Sequence, residues 1–297
     1  MPLALPLLAS LLYAVGSWGL KLGLRRGARP SMVTALSNLS MAGWSAPLIF
    51  FFPGQPNAYG FWGAILAGTA LFLGRICAIR ALSHGDLSHA TPLLGTKTVF
   101  VAVLTSLFLE DPITPGLMAG AVLTSLAVAL ISITPTPMAK SWWPRNFDRA
   151  TTLWALLAAF FFALTDIVVQ KFARLLGVGW FQPLMFSTLA LLTPLLFFSR
   201  LRHPSSLQAL LPASSRPSTI GGSAVIGFQT SLVILVIGIF GHATATNVVY
   251  AARGLWAVLL EGAAGGGAAA NDRRILILRL TGAALLLAAV ALAVGSL

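Results

Sequence analysis

The stretch Ala46-Pro47-Leu48-Ile49-Phe50-Phe51 returns 147 positions later as Thr193-Pro194-Leu195-Leu196-Phe197-Phe198. Three further matches run in the same order. Leu7-Leu8-Ala9-Ser10 corresponds to Leu156-Leu157-Ala158-Ala159 at a shift of 149. Gly95-Thr96-Lys97-Thr98-Val99-Phe100 corresponds to Ala251-Ala252-Arg253-Gly254-Leu255-Trp256 at 156, and Gly120-Ala121-Val122-Leu123 to Gly282-Ala283-Ala284-Leu285 at 162. Each match is weak in so Leu/Ala-rich a chain. Their order and slowly growing shift, which loop insertions explain, point to two related halves: 1–134 and 151–297, joined by a polar loop at 135–150.

Both halves are built for lipid. The chain is 57% hydrophobic and only 9% charged, with a mean hydropathy of +0.88. A soluble domain carries roughly 25% charged residues. Apolar runs of about 20 residues cross hydrocarbon as helices, because each backbone group must then bond within its own segment. Ten such spans are expected, near 3–20, 31–52, 59–82, 89–109, 113–133, 152–172, 180–199, 219–241, 243–261 and 274–295. The fold class is therefore an all-α membrane protein of about ten transmembrane helices. Five per half is odd, so the second half enters the membrane inverted, and the halves form two inverted five-helix repeats. The first run is too long for a secretory h-region, and its positive charge (Lys21, Arg25, Arg26, Arg29) follows it instead of preceding it.

The net charge of +12 does not read as nucleic-acid binding, because the basic residues are scattered over loops between spans. Fifteen of the nineteen Lys and Arg lie in or beside the odd-numbered connections. The positive-inside rule then puts those loops in the cytoplasm and both termini outside. The lone Cys77 rules out a disulfide framework and a thiolate metal site, and no phosphate-binding Gly-rich loop with Lys-Ser/Thr is present. No cofactor is expected.

The ends of the first helix of each half (Ala14 to Lys21 and Ala163 to Lys171), the glycines of the third helix (Gly63, Gly68, Gly74) and Leu107–Pro112 (LFLEDP) carry a resemblance over the whole chain. They are similar to the drug/metabolite transporter superfamily, in particular its EamA-type members, with Glu110 in the turn after the fourth helix but Leu109 where the family usually has Gly. The resemblance implies a transporter of small organic solutes in the cytoplasmic (inner) membrane, working by alternating access. It does not name the cargo. Small multidrug relatives place a proton-binding glutamate eight residues before the terminal Lys. Tyr13 and Ala163 stand there, so a proton-coupled cationic-drug mechanism of that kind is not expected. Ten-span relatives keep both termini in the cytoplasm, opposite to the loop charges.

Charged residues deep in spans cost roughly 2.5–3.5 kcal/mol to insert and usually face the bundle interior or a wet cavity. Lys97 and Arg253 sit mid-span at matched positions of the two halves. They either attract an anionic or zwitterionic solute, Arg253 with two parallel hydrogen bonds, or each pairs with an internal acid or caps a broken helix. Asp166 is the one acid deep in a span. It neutralises Lys97 or Arg253, or takes a coupling proton; Gln170 shares its face one turn on. Tyr250 and Asn247 precede Arg253 on a related face and either orient a substrate or bond neighbouring helices. Arg75 is the deeper of the two arginines in the third span, and Arg80 is expected to snorkel to the headgroups. Tyr13, Trp18 and Trp256 are candidate cavity walls, with packing or interface anchoring as the alternative. Pro92 is a candidate kink or gate. Trp142, Trp143 and Trp180 read as interface-belt residues, and His89 and His242 show no metal spacing. Ala119-Gly120-Ala121 and Gly282-Ala283-Ala284 imply close helix contact inside the protein or with a second copy, so a monomer and a homodimer both remain open.

A transporter is the leading class. An intramembrane enzyme or a lipid-handling protein is the alternative, but an enzyme needs paired acids, a histidine cluster or a Ser/His set within the spans. A channel would need a filter or a charged ring.

Overall fold

The computed structural model describes residues 4–84, 93–109, 114–132, 149–200, 210–263 and 273–295. Pro92, His89, Glu110, Trp142 and Trp143 lie outside them. The described residues form helices and turns, with no strand among them. The helices are α1 (Ala4–Arg25), α2 (Pro30–Ser45), the short α3 (Leu48–Phe51), α4 (Ala58–His84), α5 (Lys97–Phe108), α6 (Pro115–Ile131), α7 (Arg149–Leu176), α8 (Val178–Leu192), α9 (Arg216–Phe240), α10 (Ala243–Tyr250), α11 (Arg253–Ala263) and α12 (Arg273–Gly295). Among the described residues, six helical segments are long and apolar enough to cross a membrane: Ala4–Arg25, Ala58–Ala81, Arg149–Leu176, Val178–Phe197, Ala213–Phe240 and Ile277–Gly295. The protein is an integral, multi-pass membrane protein.

Local chemistry sets the ends. Pro30 opens α2 and Pro115 opens α6, where a missing N–H costs nothing, and Thr114 Oγ1 caps α6 by accepting from Leu117 N at 3.2 Å. Gly177 and Gly241 take left-handed conformations (φ +80° and +74°) that reverse the chain after α7 and α9.

Among the described residues four expected spans are interrupted, one of them the fourth, read as 89–109, at Thr96. The second, read as 31–52, ends as α2 at Ser45, and α3 follows Pro47. The seventh, read as 180–199, ends as α8 at Leu192 and runs on as a 3₁₀ stretch through Pro194. Proline lacks the amide that would continue the ladder, and the interruption falls at the matched prolines of the two halves. The ninth, read as 243–261, divides into α10 and α11 around Ala251-Ala252.

The chain forms two compact units that cut across the sequence halves. One comprises residues 1–72 and 168–242, the other 73–167 and 243–297, so the division falls within α4 and within α7. In the first unit α1 lies along α9. A β-carbon on Gly19 would stand 3.2 Å from Gly222 Cα, and Gly23 meets Thr219, so glycines let the backbones meet. Buried polar groups join the remaining helices: Ser37 Oγ donates to Ser223 Oγ (3.3 Å), Asn38 Nδ2 to Thr193 Oγ1 (2.9 Å) and Gln182 Nε2 to Ser231 Oγ (2.6 Å). Gly63 and Gly68 of α4 make room for Phe172 and for Met185 with Thr188.

In the second unit α6 lies along α12. A β-carbon on Gly120 would stand 3.1 Å from Ala289 O, and one on Gly282 would stand 2.9 Å from Ala127 O. The two small-residue clusters therefore pack against each other within the protein. α10 joins α5 through Thr105 Oγ1 and Thr244 Oγ1 at 3.2 Å, and Gly74 admits Phe162.

Candidate functional site

The second unit holds a buried polar cluster drawn from α5, α7 and α10. Asp166, midway along α7, is 3% exposed and is the one acidic side chain described among all the described residues. Lys97 Nζ lies 2.8 Å from its Oδ2. Asn247 Nδ2 donates to the same oxygen at 2.6 Å and to Ala243 O at 2.9 Å, so its amide is held from both sides. Of the two cations that Asp166 was expected to neutralise, Lys97 is the partner. The buried carboxylate thus has an opposite charge and an amide donor, the condition under which a charge survives in a low-dielectric interior.

Lys97 and Arg253 share a backbone setting. The helical turn at residues 93–95 gives way at Thr96, and α5 begins at Lys97. α10 ends at Tyr250, Ala251 and Ala252 form a tight turn, and α11 begins at Arg253. Short-range bonds cross the second interruption, from Ala252 N to Val249 O (3.1 Å) and from Gly254 N to Ala251 O (3.1 Å). Each cation is therefore the first residue of a helix that starts within an apolar span. The Arg253 guanidinium stacks over the Tyr250 ring at 4.7 Å, a cation–π contact.

The remaining candidates separate. Asn247 is 2% exposed and serves Asp166, and Tyr250 is buried beneath Arg253. Arg75 belongs to the second unit and is half-buried. Gln170 lies on the part of α7 that belongs to the first unit, near Gly241. Tyr13 and Trp18 also belong to the first unit; Tyr13 is half-buried, and Trp18 is 51% exposed. Trp256 is partly buried and packs on Ala127, Ala251, Ala252 and Leu286 in the second unit. Arg80, expected to reach for headgroups, stacks on Trp154 at 4.6 Å. Sequence reasoning passed over Trp154, and also the hydroxyls Thr98 and Ser125 beside the first helix interruption. The signal for the latter was available: they are polar at positions where the matched residues of the second half, Gly254 and Leu287, are not.

Asn247→Asp tests the cluster. It puts a second carboxylate where the amide now donates at 2.6 Å, and two like charges at that distance repel or share one proton. The variant is expected to melt below the parent in detergent, whereas Asn247→Gln, which keeps the donor, stays closer to it.

No curated protein matches the chain. A solved structure titled "Crystal structure of protein" superposes with a TM-score of 0.74 over 98% of this chain and 97% of its own, at 15% identity, a likeness of fold alone. Residues 2–133 match the model of the EamA-like transporter family. The first half of this multi-pass membrane protein thus carries the pattern of the EamA-like transporters, consistent with the drug/metabolite transporter superfamily that its motifs resemble.

Proposed function

We propose that the protein is a secondary transporter of the cytoplasmic membrane that moves small organic solutes, anionic or zwitterionic, by alternating access. Its ten spans form two inverted repeats, and the cargo binds at the helix interruptions marked by Lys97 and Arg253. The observation that carries this reading is that both cations open a helix inside an apolar span, at positions matched at the shift of 156. Interrupted helices with their amino ends turned to anionic groups are how repeat-built transporters hold substrates.

Two further correspondences support the inversion. Pro47 and Pro194 interrupt matched spans. The contacts of α6 and α12 are reciprocal: Gly120 meets Ala289 and Gly282 meets Ala127, each glycine facing the residue seven beyond its counterpart. A two-fold relation between the helices produces that pairing.

Arg253, which opens α11 at the second interruption, suits an anion by its chemistry. Its fork matches a carboxylate or phosphate, a charge-assisted contact worth about 1.5–3 kcal/mol. The test is counterflow of radiolabelled organic anions, amino acids and organic cations in proteoliposomes. An anionic or zwitterionic solute is expected to exchange, and Lys97→Ala/Arg253→Ala to slow that exchange by about tenfold or more, as the loss of one such contact requires. Exchange of anionic cargo at the parental rate by the double variant would sink the anion-site reading.

A further inference from the structure

Charge divides unevenly between the two compact units. Residues 1–72 and 168–242 contain nine of the nineteen Lys and Arg and none of the seven Asp and Glu. The first unit therefore has no carboxylate side chain of its own with which to balance a cation.

Four of its arginines gather where α1 ends and where α2 and α9 begin. Gly27 takes a left-handed conformation (φ +95°) that folds the turn back, and Ala28 N donates to Gly23 O at 3.0 Å. The turn is tied to the segment before α9. Arg29 N donates to Leu210 O at 3.1 Å, and Ala28, Val33 and Leu211 share one apolar cluster. Ser214 Oγ reaches Arg26 O at 3.5 Å, and Arg216 Nε donates to Leu211 O at 3.4 Å. Arg25, Arg26 and Arg29 are thus brought to the same end of the unit as Arg216. Arg25, Arg26 and Arg216 are exposed, and Arg29 is half-buried.

The positive-inside rule accounts for cations in these connections, but it does not require two connections to converge. Like charges gathered without an acid repel one another, and an anion from outside offsets that cost. The surroundings say which kind of anion. Exposed Leu24 directly precedes Arg25, and exposed Ile220 lies one turn after Arg216. Apolar side chains that face lipid therefore run up to the guanidinium groups, which stand at headgroup depth. A phospholipid meets both features, its phosphate matching the guanidinium fork and its acyl chains the flanking Leu and Ile. The other described cations of the unit, Lys171 and Arg174, lie where α7 packs against the start of α4, and Arg174 donates to Ile239 O at 3.2 Å.

We infer that Arg25, Arg26, Arg29 and Arg216 form a binding site for the headgroup of an anionic phospholipid, where the α1–α2 turn meets the start of α9. The site stands without the transporter reading, because lipid binds there whether or not a solute moves.

Native mass spectrometry of the full chain in neutral detergent tests it, with phosphatidylglycerol or phosphatidylcholine of the same acyl chains added at equal concentration. The expected result is one phosphatidylglycerol retained per chain, at least tenfold more tightly than phosphatidylcholine and not displaced by equimolar inorganic phosphate. Arg25→Gln/Arg26→Gln and Arg29→Gln/Arg216→Gln each weaken retention at least tenfold, since each basic residue near anionic lipid contributes about fivefold. Arg25→Lys/Arg26→Lys, which keeps the charge, stays close to the parent, and Lys171→Gln leaves retention unchanged. Equal retention of the two lipids overturns the inference, and displacement by inorganic phosphate overturns the lipid as occupant. A folded Arg25→Gln/Arg26→Gln variant with parental affinity overturns it as well, as does an equal loss in Lys171→Gln, which would mark a diffuse effect of net charge. Should Arg29→Gln/Arg216→Gln not fold, Arg25→Gln/Arg26→Gln, whose side chains are exposed, decides by the same criteria.

Discussion

Asp166→Ala is expected to lower the temperature at which the solubilised protein loses its monodisperse peak by roughly 5–10 °C, corresponding to about 3–5 kcal/mol. The substitution strands two partners. Lys97 keeps its charge in the interior with its 2.8 Å counter-ion gone, and Asn247 loses the acceptor at 2.6 Å. Removing one member of a buried pair is costly because the other charge remains, whereas replacing both with apolar residues of similar volume is often neutral. Lys97→Met/Asp166→Leu is therefore expected to recover most of the lost stability. If Asp166→Ala melts with the parent, the pair is not what holds α5 to α7. If the double variant melts as low as the single one, the loss comes from packing and not from charge.

Gly222→Leu is expected to prevent recovery of folded protein, and Gly222→Ala to cost about 1–3 kcal/mol, the usual range for overpacking. A β-carbon on Gly222 would lie 2.8 Å from Leu20 N and 2.9 Å from Gly16 O, both backbone atoms of α1. Backbone cannot swing aside as a side chain can, so the helices must separate and lose the contacts between them. The neighbouring glycine supplies the contrast. Gly221 is exposed, and a β-carbon there meets nothing within 4 Å. Gly221→Ala should stabilise by about 0.5–1 kcal/mol, since alanine loses less backbone freedom in a helix. Melting of the two alanine variants beside the parent is the measurement. Equal effects would mean that the α1–α9 approach is looser than described.

Much of this was legible in the sequence because membranes penalise charge so strongly. Lys97, Asp166 and Arg253 stood out as ionisable residues inside apolar runs, and two of the three meet. The partner of Asp166 was not legible. Two cations were available, and the choice depends on how α5, α7 and α10 come together, which no local pattern encodes. The interruption at Ala251-Ala252 was also hidden, since neither residue is a proline or a glycine. By contrast, Pro47 and Pro194 announced theirs, although hydropathy alone carried both spans through the prolines. Hydropathy likewise could not assign residues to units. Gln170 is one turn from Asp166 on the same helix, yet the division of the chain falls between them.

The interleaving of the two halves bears on how the chain is made. Ser37 and Ser223 bond across 186 residues of sequence, and the glycine face of α1 has its partner on α9. At about 5–20 residues per second, α1 waits on the order of ten to forty seconds for α9 to be synthesised. Throughout that interval its close-packing surface faces lipid or a passing helix. Neither compact unit closes from its N-terminal segment alone. Biogenesis is therefore governed by long-range contacts, and premature termination near residue 150 would release a fragment whose helices lack their partners.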